Sequence, residues 1–128
     1  MGRASFEIEG YSHGGNPIPA AARVGNIIAT GGISGIDLDK GAMPPSMDAQ
    51  CRNMFGLAAK ILAAAGAGLD DVLKVTVFLK PDQKRDALNA EWLRHFPNEH
   101  ARPVRHVLIN PYLPEGMLIQ CEMMAVVS

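Results

Sequence analysis

The segment Ala101-Arg102-Pro103-Val104-Arg105-His106-Val107 places a guanidinium inside an otherwise apolar strand. A cation withdrawn from water is costly unless an anion meets it. No acid lies beside Arg105 along the strand. Two solutions remain. A neighbouring strand or subunit brings an acid, with Glu122 as the candidate, or a small bound molecule brings a carboxylate. Arginine suits the second role because its planar fork makes two parallel hydrogen bonds to a carboxylate. Strand parity puts Arg105 and Val107 on one side and Val104 and His106 on the other. His106 is therefore a poor local partner and reads as structural.

A second group of chemical residues lies downstream. After the turn Leu113-Pro114-Glu115-Gly116, the run Ile119 to Val126 sets Gln120 and Glu122 on one face and Cys121 on the opposite one. No base neighbours Cys121 to activate it, so a packed thiol is expected. Cys51 and Cys121 form neither a CxxC pair nor a metal spacing, and two free thiols fit a reducing compartment. His13, His95, His100 and His106 show no metal-binding spacing. Gly31-Gly32 ends an apolar run, where missing side chains let a ligand approach the backbone. It is no phosphate loop, because no Lys-Ser/Thr follows it.

The remaining composition narrows the function classes. Net charge is -1 and aromatic residues make up 5% of the 128 residues, so neither nucleic acid nor an anionic membrane is expected as a partner. With 48% hydrophobic and 20% charged residues the chain reads as one globular domain spanning residues 1–128. Met1 to Tyr11 lacks the apolar core of a signal peptide, and Phe55 to Leu69 is too short and mixed to span a bilayer. The expected location is the cytoplasm.

These residues need elements to position them. Ala4 to Ile8 reads as a short edge strand, Gly10 to Pro19 as a loop, and Val24 to Thr30 as a strand after a Gly25-Asn26 turn. Ser46 or Asp48 caps a helix running to Ala65. Its stripe is Met54, Leu57, Ala58, Ile61, Leu62 and Ala65, with Gln50, Asn53 and Lys60 off it. Val72 to Leu79 is a strand with Leu73, Val75, Val77 and Leu79 on one face. Asp82 caps a second helix through His95, with Ala87 or Leu88, Trp92, Leu93 and Phe96 inward. Pro103 to Ile109 and Met117 to Val127 are the last strands. The expected architecture is a two-layer α+β domain with two helices on one face of a mixed sheet. The last strand is apolar on both faces and there is helix for only one, so the chain is expected to oligomerise.

In order and spacing the chain resembles the Rid (YjgF/YER057c/UK114) family of enamine/imine deaminases. The landmarks are Val24-Gly25-Asn26 into Thr30-Gly31-Gly32, the Gln50 to Gly66 helix, and Asp71 to Leu79. Asn89-Ala90, Arg102-Pro103-Val104-Arg105, Leu113-Pro114 and Glu122 to Val126 complete them. The resemblance implies a chorismate-mutase-like fold, a homotrimer whose sheets form a central barrel, and sites in clefts between subunits. It implies hydrolysis of enamines and imines such as 2-aminoacrylate to the 2-oxo acid and ammonia, with no metal or organic cofactor. By match, Arg105 grips the substrate carboxylate, while Gly32, Val107 and Asn89 line the pocket. Three positions depart from the family: Gln120 stands where the catalytic acid falls, Ile18 where a tyrosine falls, and Gly31 where a serine falls. A glutamine cannot shuttle a proton, although it can orient water or bond the substrate nitrogen. The expected pocket is wider and more apolar, suited to a bulkier imine, with 2-aminomuconate one conceivable case by analogy. Glu122 is a candidate only for a supporting role. The competing expectations are a non-catalytic carboxylate-binding trimer and an interaction role.

Overall fold

The computed structural model describes residues 2–128. Seven strands form one mixed sheet: β1 (Ala4–Phe6), β2 (Ala21–Val24), β3 (Ile27–Thr30), β4 (Ile33–Ser34), β5 (Val72–Leu79), β6 (Val104–Ile109) and β7 (Ile119–Val126). The order is β1-β2-β3-β7-β5-β6, with β4 also on β7. Only β5 and β6 run parallel, joined by the crossover helix α2 (Asp86–His95), while α1 (Met47–Ala64) enters from β4.

The α1 helix forms as its sequence dictates. Ser46 Oγ accepts from the Ala49 amide at 3.1 Å, closing the N-terminus. At the other end Gly66 takes φ 87°, and the Gly66 and Ala67 amides return to the Ala63 and Leu62 carbonyls. This is a Schellman stop that requires a left-handed residue. The expected stripe is buried, together with Cys51 and Phe55. Gln50 departs from expectation, being fully buried. Its Nε2 donates to the Pro44 and Gly116 carbonyls (2.7 and 2.8 Å), and its Oε1 accepts from the Leu118 amide at 2.9 Å. A buried amide with its partners supplied fastens two loops to the helix start.

Other departures have local causes. Ala21 to Val24 is itself a strand, paired across the Gly25-Asn26 turn with β3. A bulge lies between Val72 and Lys74 on β5, so Leu73 leaves the core side and is 57% exposed while Val72 is buried. Asp82 sits at φ 69°, in a turn, and α2 starts four residues later, at Asp86. Leu93 turns outward at 53% exposure, and Glu91 takes an inward position with Leu88 and Phe96.

Cross-strand partners share a face. Val75, Val77, Leu79, Cys121, Met123 and Ala125 pack under the helices. The opposite face carries Ile27, Val104, Leu108, Met124 and Val126, all exposed. The helices therefore cover one face, as expected, and leave an apolar face open.

Candidate functional site

β6 is an edge strand, and its register with β5 decides where Arg105 points. Arg105 lies opposite Val75 and Val107 opposite Val77, so both take the helix side of the sheet. There α2 presents Asn89, Trp92 and Leu93, spaced as neighbours on one helical surface. Arg105 Nη2 donates to Asn89 Oδ1 at 2.9 Å, and its guanidinium carbon lies 4.8 Å from the Trp92 ring centroid. Nη1 is buried without a partner. These four side chains line an open cavity of about 400 Å³. Burial and, secondarily, the like charge of Arg85 depress the Arg105 pKa. The group remains a cation, and no carboxylate forms an ion pair with it among the described residues.

Glu122 does not supply that carboxylate within the protomer. It lies opposite Thr76, which is also opposite His106, so Glu122 and His106 occupy the open face. The internal ion-pair alternative for Arg105 fails on parity.

The second cluster surrounds Gly31-Gly32. β3 follows β7 as far as Ala29 opposite Met124, and β4 resumes at Ile33 opposite Cys121. Position 29 to 33 is four steps against three on β7, so the glycines occur where the strand carries one extra residue. Thr30 Oγ1 takes the Met123 amide at 2.9 Å and bridges the gap. Gln120, opposite both Ser34 and Phe78, takes the open face and lies on Gly32. A Cβ at residue 32 would come within 2.7 Å of Gln120 Nε2.

Gly31 is pressed by His13, whose Cε1 and Nε2 would each lie 3.3 Å from a Cβ there. His13 Nε2 is 3.1 Å from the Gly32 carbonyl oxygen, which also accepts from the Tyr11 hydroxyl at 2.7 Å. Ile18, half-exposed, and His13 line a cleft of about 390 Å³ beside the Gly14-to-Pro19 loop. In the sequence His13 stands out only as a histidine without metal-binding spacing. Its significance depends on the loop folding back onto Gly31-Gly32, a contact eighteen residues away in the chain, for which no local pattern exists.

The predicted residues thus form two groups. Arg105, Asn89 and Val107 lie on the helix side near the β6 edge. Gly31, Gly32, Gln120 and Ile18 gather at the β3–β4 junction, with Glu122 further along the open face. Neither the cavity beside Arg105 nor the cleft beside His13 and Ile18 is lined by Gln120. Both cysteines are buried, and burial pushes the Cys51 thiol up to about 12 and Cys121 further still. Among the described residues no three His, Cys, Asp or Glu side chains converge as metal ligands, and no helix is long and apolar enough to cross a membrane.

Comparison with known proteins gives consistent relatives. The family model described as Endoribonuclease L-PSP matches residues 10–127. A RutC family protein of Haemophilus influenzae is 31% identical over 112 residues, 86% of each chain. The 2-iminobutanoate/2-iminopropanoate deaminase of Escherichia coli is 30% identical over 111 residues, covering 86% of this chain and 87% of that one. The solved E. coli YjgF gene product has a TM-score of 0.86 at 27% identity, covering 98% of this chain and 99% of its own. E. coli TdcF with bound serine shares the fold, with a TM-score of 0.87 at 23% identity over 98% of this chain and 99% of that one.

Proposed function

The chain belongs to the Endoribonuclease L-PSP (YjgF/RutC/Rid) family, and from that premise we propose that it hydrolyses a small 2-imino or 2-enamino carboxylate to the 2-oxo acid and ammonia. The observation that carries this reading is Arg105, whose Nη1 is a buried cationic donor with no protein partner and whose side chain lines a cavity. Such a group is satisfied by an incoming carboxylate. Asn89 and Trp92 hold the guanidinium so that little side-chain freedom is lost when it engages.

The remaining chemistry belongs to the glycine cluster. A protonated imine beside a carboxylate is electrophilic. Bringing it next to an ordered water supplies proximity, and fixed dipoles stabilise the charge that develops. Gln120 orients that water or bonds the substrate nitrogen, and Gly31 and Gly32 leave the room that lets His13 and Gln120 pack onto the backbone. The two clusters meet when the β6 edge of one copy abuts the β3–β4 junction of another. The exposed apolar row Ile27, Val104, Leu108, Met124 and Val126 supports such an assembly, a homotrimer by family likeness. Val107, beside Arg105 on the same strand, lines the shared cleft. Ile18 replaces a polar side chain with an apolar one, so the site favours substrates longer and more apolar than 2-aminoacrylate.

Gln120 favours a second reading, a carboxylate-binding trimer without turnover. The ribonuclease named in the family model has weaker support, since a net charge of -1 offers no basic track for a phosphate backbone. Generating 2-aminoacrylate and longer enamines in situ, and following ammonia and oxo-acid release, separates these readings. Faster turnover of the longer substrates supports the proposal, and saturable binding of 2-oxo acids without ammonia release supports the second reading.

A further inference from the structure

We propose that His13 is the proton-transferring residue of this site, doing from the Tyr11-to-Gly15 loop what a carboxylate at position 120 would do from β7. The inference rests on the imine-hydrolase reading and names the group that reading leaves unfilled.

Three observations converge. First, the glycine pair is shaped to receive two side chains. A Cβ at Gly32 would strike Gln120, and one at Gly31 would crowd the His13 ring at 3.3 Å. The imidazole and the amide therefore sit on consecutive residues of one backbone platform. Position 31 lacks a side chain where His13 takes up the space. Second, the tautomer is fixed by chemistry. The Gly32 carbonyl can only accept, so the imidazole nitrogen 3.1 Å away, Nε2, carries the hydrogen. Nδ1 is then a free base. It is buried with no partner, whereas buried polar atoms almost always have one. Third, His13 lines the cleft that also holds Ile18.

The surroundings hold the ring. Tyr11 packs edge-on at 5.4 Å and shares the Gly32 carbonyl. Burial raises the Tyr11 phenol and the Cys121 thiol behind it, so both stay protonated. Glu7 lines the same cleft, and Gln120 carries no charge. Rotation about Cβ–Cγ exchanges Nδ1 with Cδ2. The same rotation exchanges Nε2 with Cε1, which lie equally far from a Cβ at Gly31, and gives up the Nε2 hydrogen bond to the Gly32 carbonyl.

The proton accounting closes. Water oxygen bonds the iminium carbon, the C=N π pair moves to nitrogen, and the water proton passes to the imidazole. The imidazolium returns that proton to the amino group of the carbinolamine. The C–N bond then breaks with its pair on nitrogen. The hydroxyl proton leaves through the imidazole to the departing ammonia, giving the 2-oxo acid and ammonium.

The test uses the full chain with 2-iminobutanoate generated in situ. His13→Gln keeps a donor for the Gly32 carbonyl but cannot relay a proton. It should lower kcat about a hundredfold with KM little changed. Adding Gln120→Glu to His13→Gln should restore at least about tenfold of the loss, a rescue that a structural role for His13 would not produce. Binding of 2-oxobutanoate by His13→Gln reports that its site is folded. His13→Gln with wild-type kcat overturns the assignment and leaves the deaminase reading standing. A wild type that releases no ammonia from any enamine overturns both.

Discussion

Arg105 and Gln120 project from opposite faces of one sheet. Arg105 sits opposite Val75 on the helix side, and Gln120 sits opposite Phe78 on the open side. One copy therefore cannot place both on one small substrate, and the proposed chemistry requires two. Mixing separately inactive Arg105→Ala and Gly32→Val subunits should regenerate activity, since some boundaries then combine an intact arginine with an intact glycine pair. Subunit exchange followed by ammonia release measures this. Absence of recovery despite exchange would place the whole site in one copy.

The open apolar face gives a second expectation. Val104 and Leu108 are half or more exposed, on the same face as Met124. Val104→Asp with Leu108→Asp puts two charges where neighbouring copies would pack, and burying unpaired charge is strongly unfavourable. The molar mass in solution should fall to that of the single chain, with turnover lost and the far-ultraviolet circular dichroism retained.

Trp92 and Asn89 act through Arg105. Removing the ring in Trp92→Ala forfeits a cation–π contact of about 0.5–2 kcal/mol, and Asn89→Ala frees the guanidinium from its 2.9 Å anchor. Each should raise KM by about three- to thirtyfold with a smaller change in kcat. Steady-state kinetics on 2-iminobutanoate distinguish this from loss of fold.

Much of this arrangement was legible in the chain, and the rest has a common cause. The strands Val72 to Leu79 and Ile119 to Val126, and the capped helix ending at Gly66, follow from alternation, helical spacing and punctuation within their own residues. Arg105 was legible as a cation in an apolar strand. Gln50 was not, because its partners at Pro44, Gly116 and Leu118 come from distant loops. Leu73 moved because one extra residue slips the register, which periodicity cannot show. Ala21 to Val24 is a strand only because β1 and β3 flank it. His13 carries no local signal, since its meaning arises from Gly31, Gly32 and Gln120.

Gln50 yields a stability prediction. Gln50→Ala strands the Leu118 amide and two carbonyls in a buried position, at a cost of about 3 kcal/mol. For a chain of this length the melting temperature should drop by about 10 °C at fixed protein concentration. Differential scanning calorimetry checks it.

The buried thiols set a pH dependence. Cys51 is raised from 9.0 to about 12 in the folded state by burial. The folded protein therefore holds a proton that the unfolded chain releases once pH passes the thiol's ordinary value. The stability it contributes is complete below that value and declines as pH rises toward 12. Melting temperature should fall between about pH 8.5 and 10.5, less steeply in Cys51→Ala, and a thiol reagent should label Cys51 and Cys121 only after denaturant is added.

The central claim is that the Arg105 guanidinium takes the substrate carboxylate. The direct measurement is kcat/KM of Arg105→Ala against wild type on 2-iminobutanoate, with the variant's fold verified by its melting curve. Losing a desolvated charge-assisted pair should lower kcat/KM by about a hundredfold or more, with Arg105→Lys recovering only part. Activity of Arg105→Ala within about threefold of wild type would contradict the account.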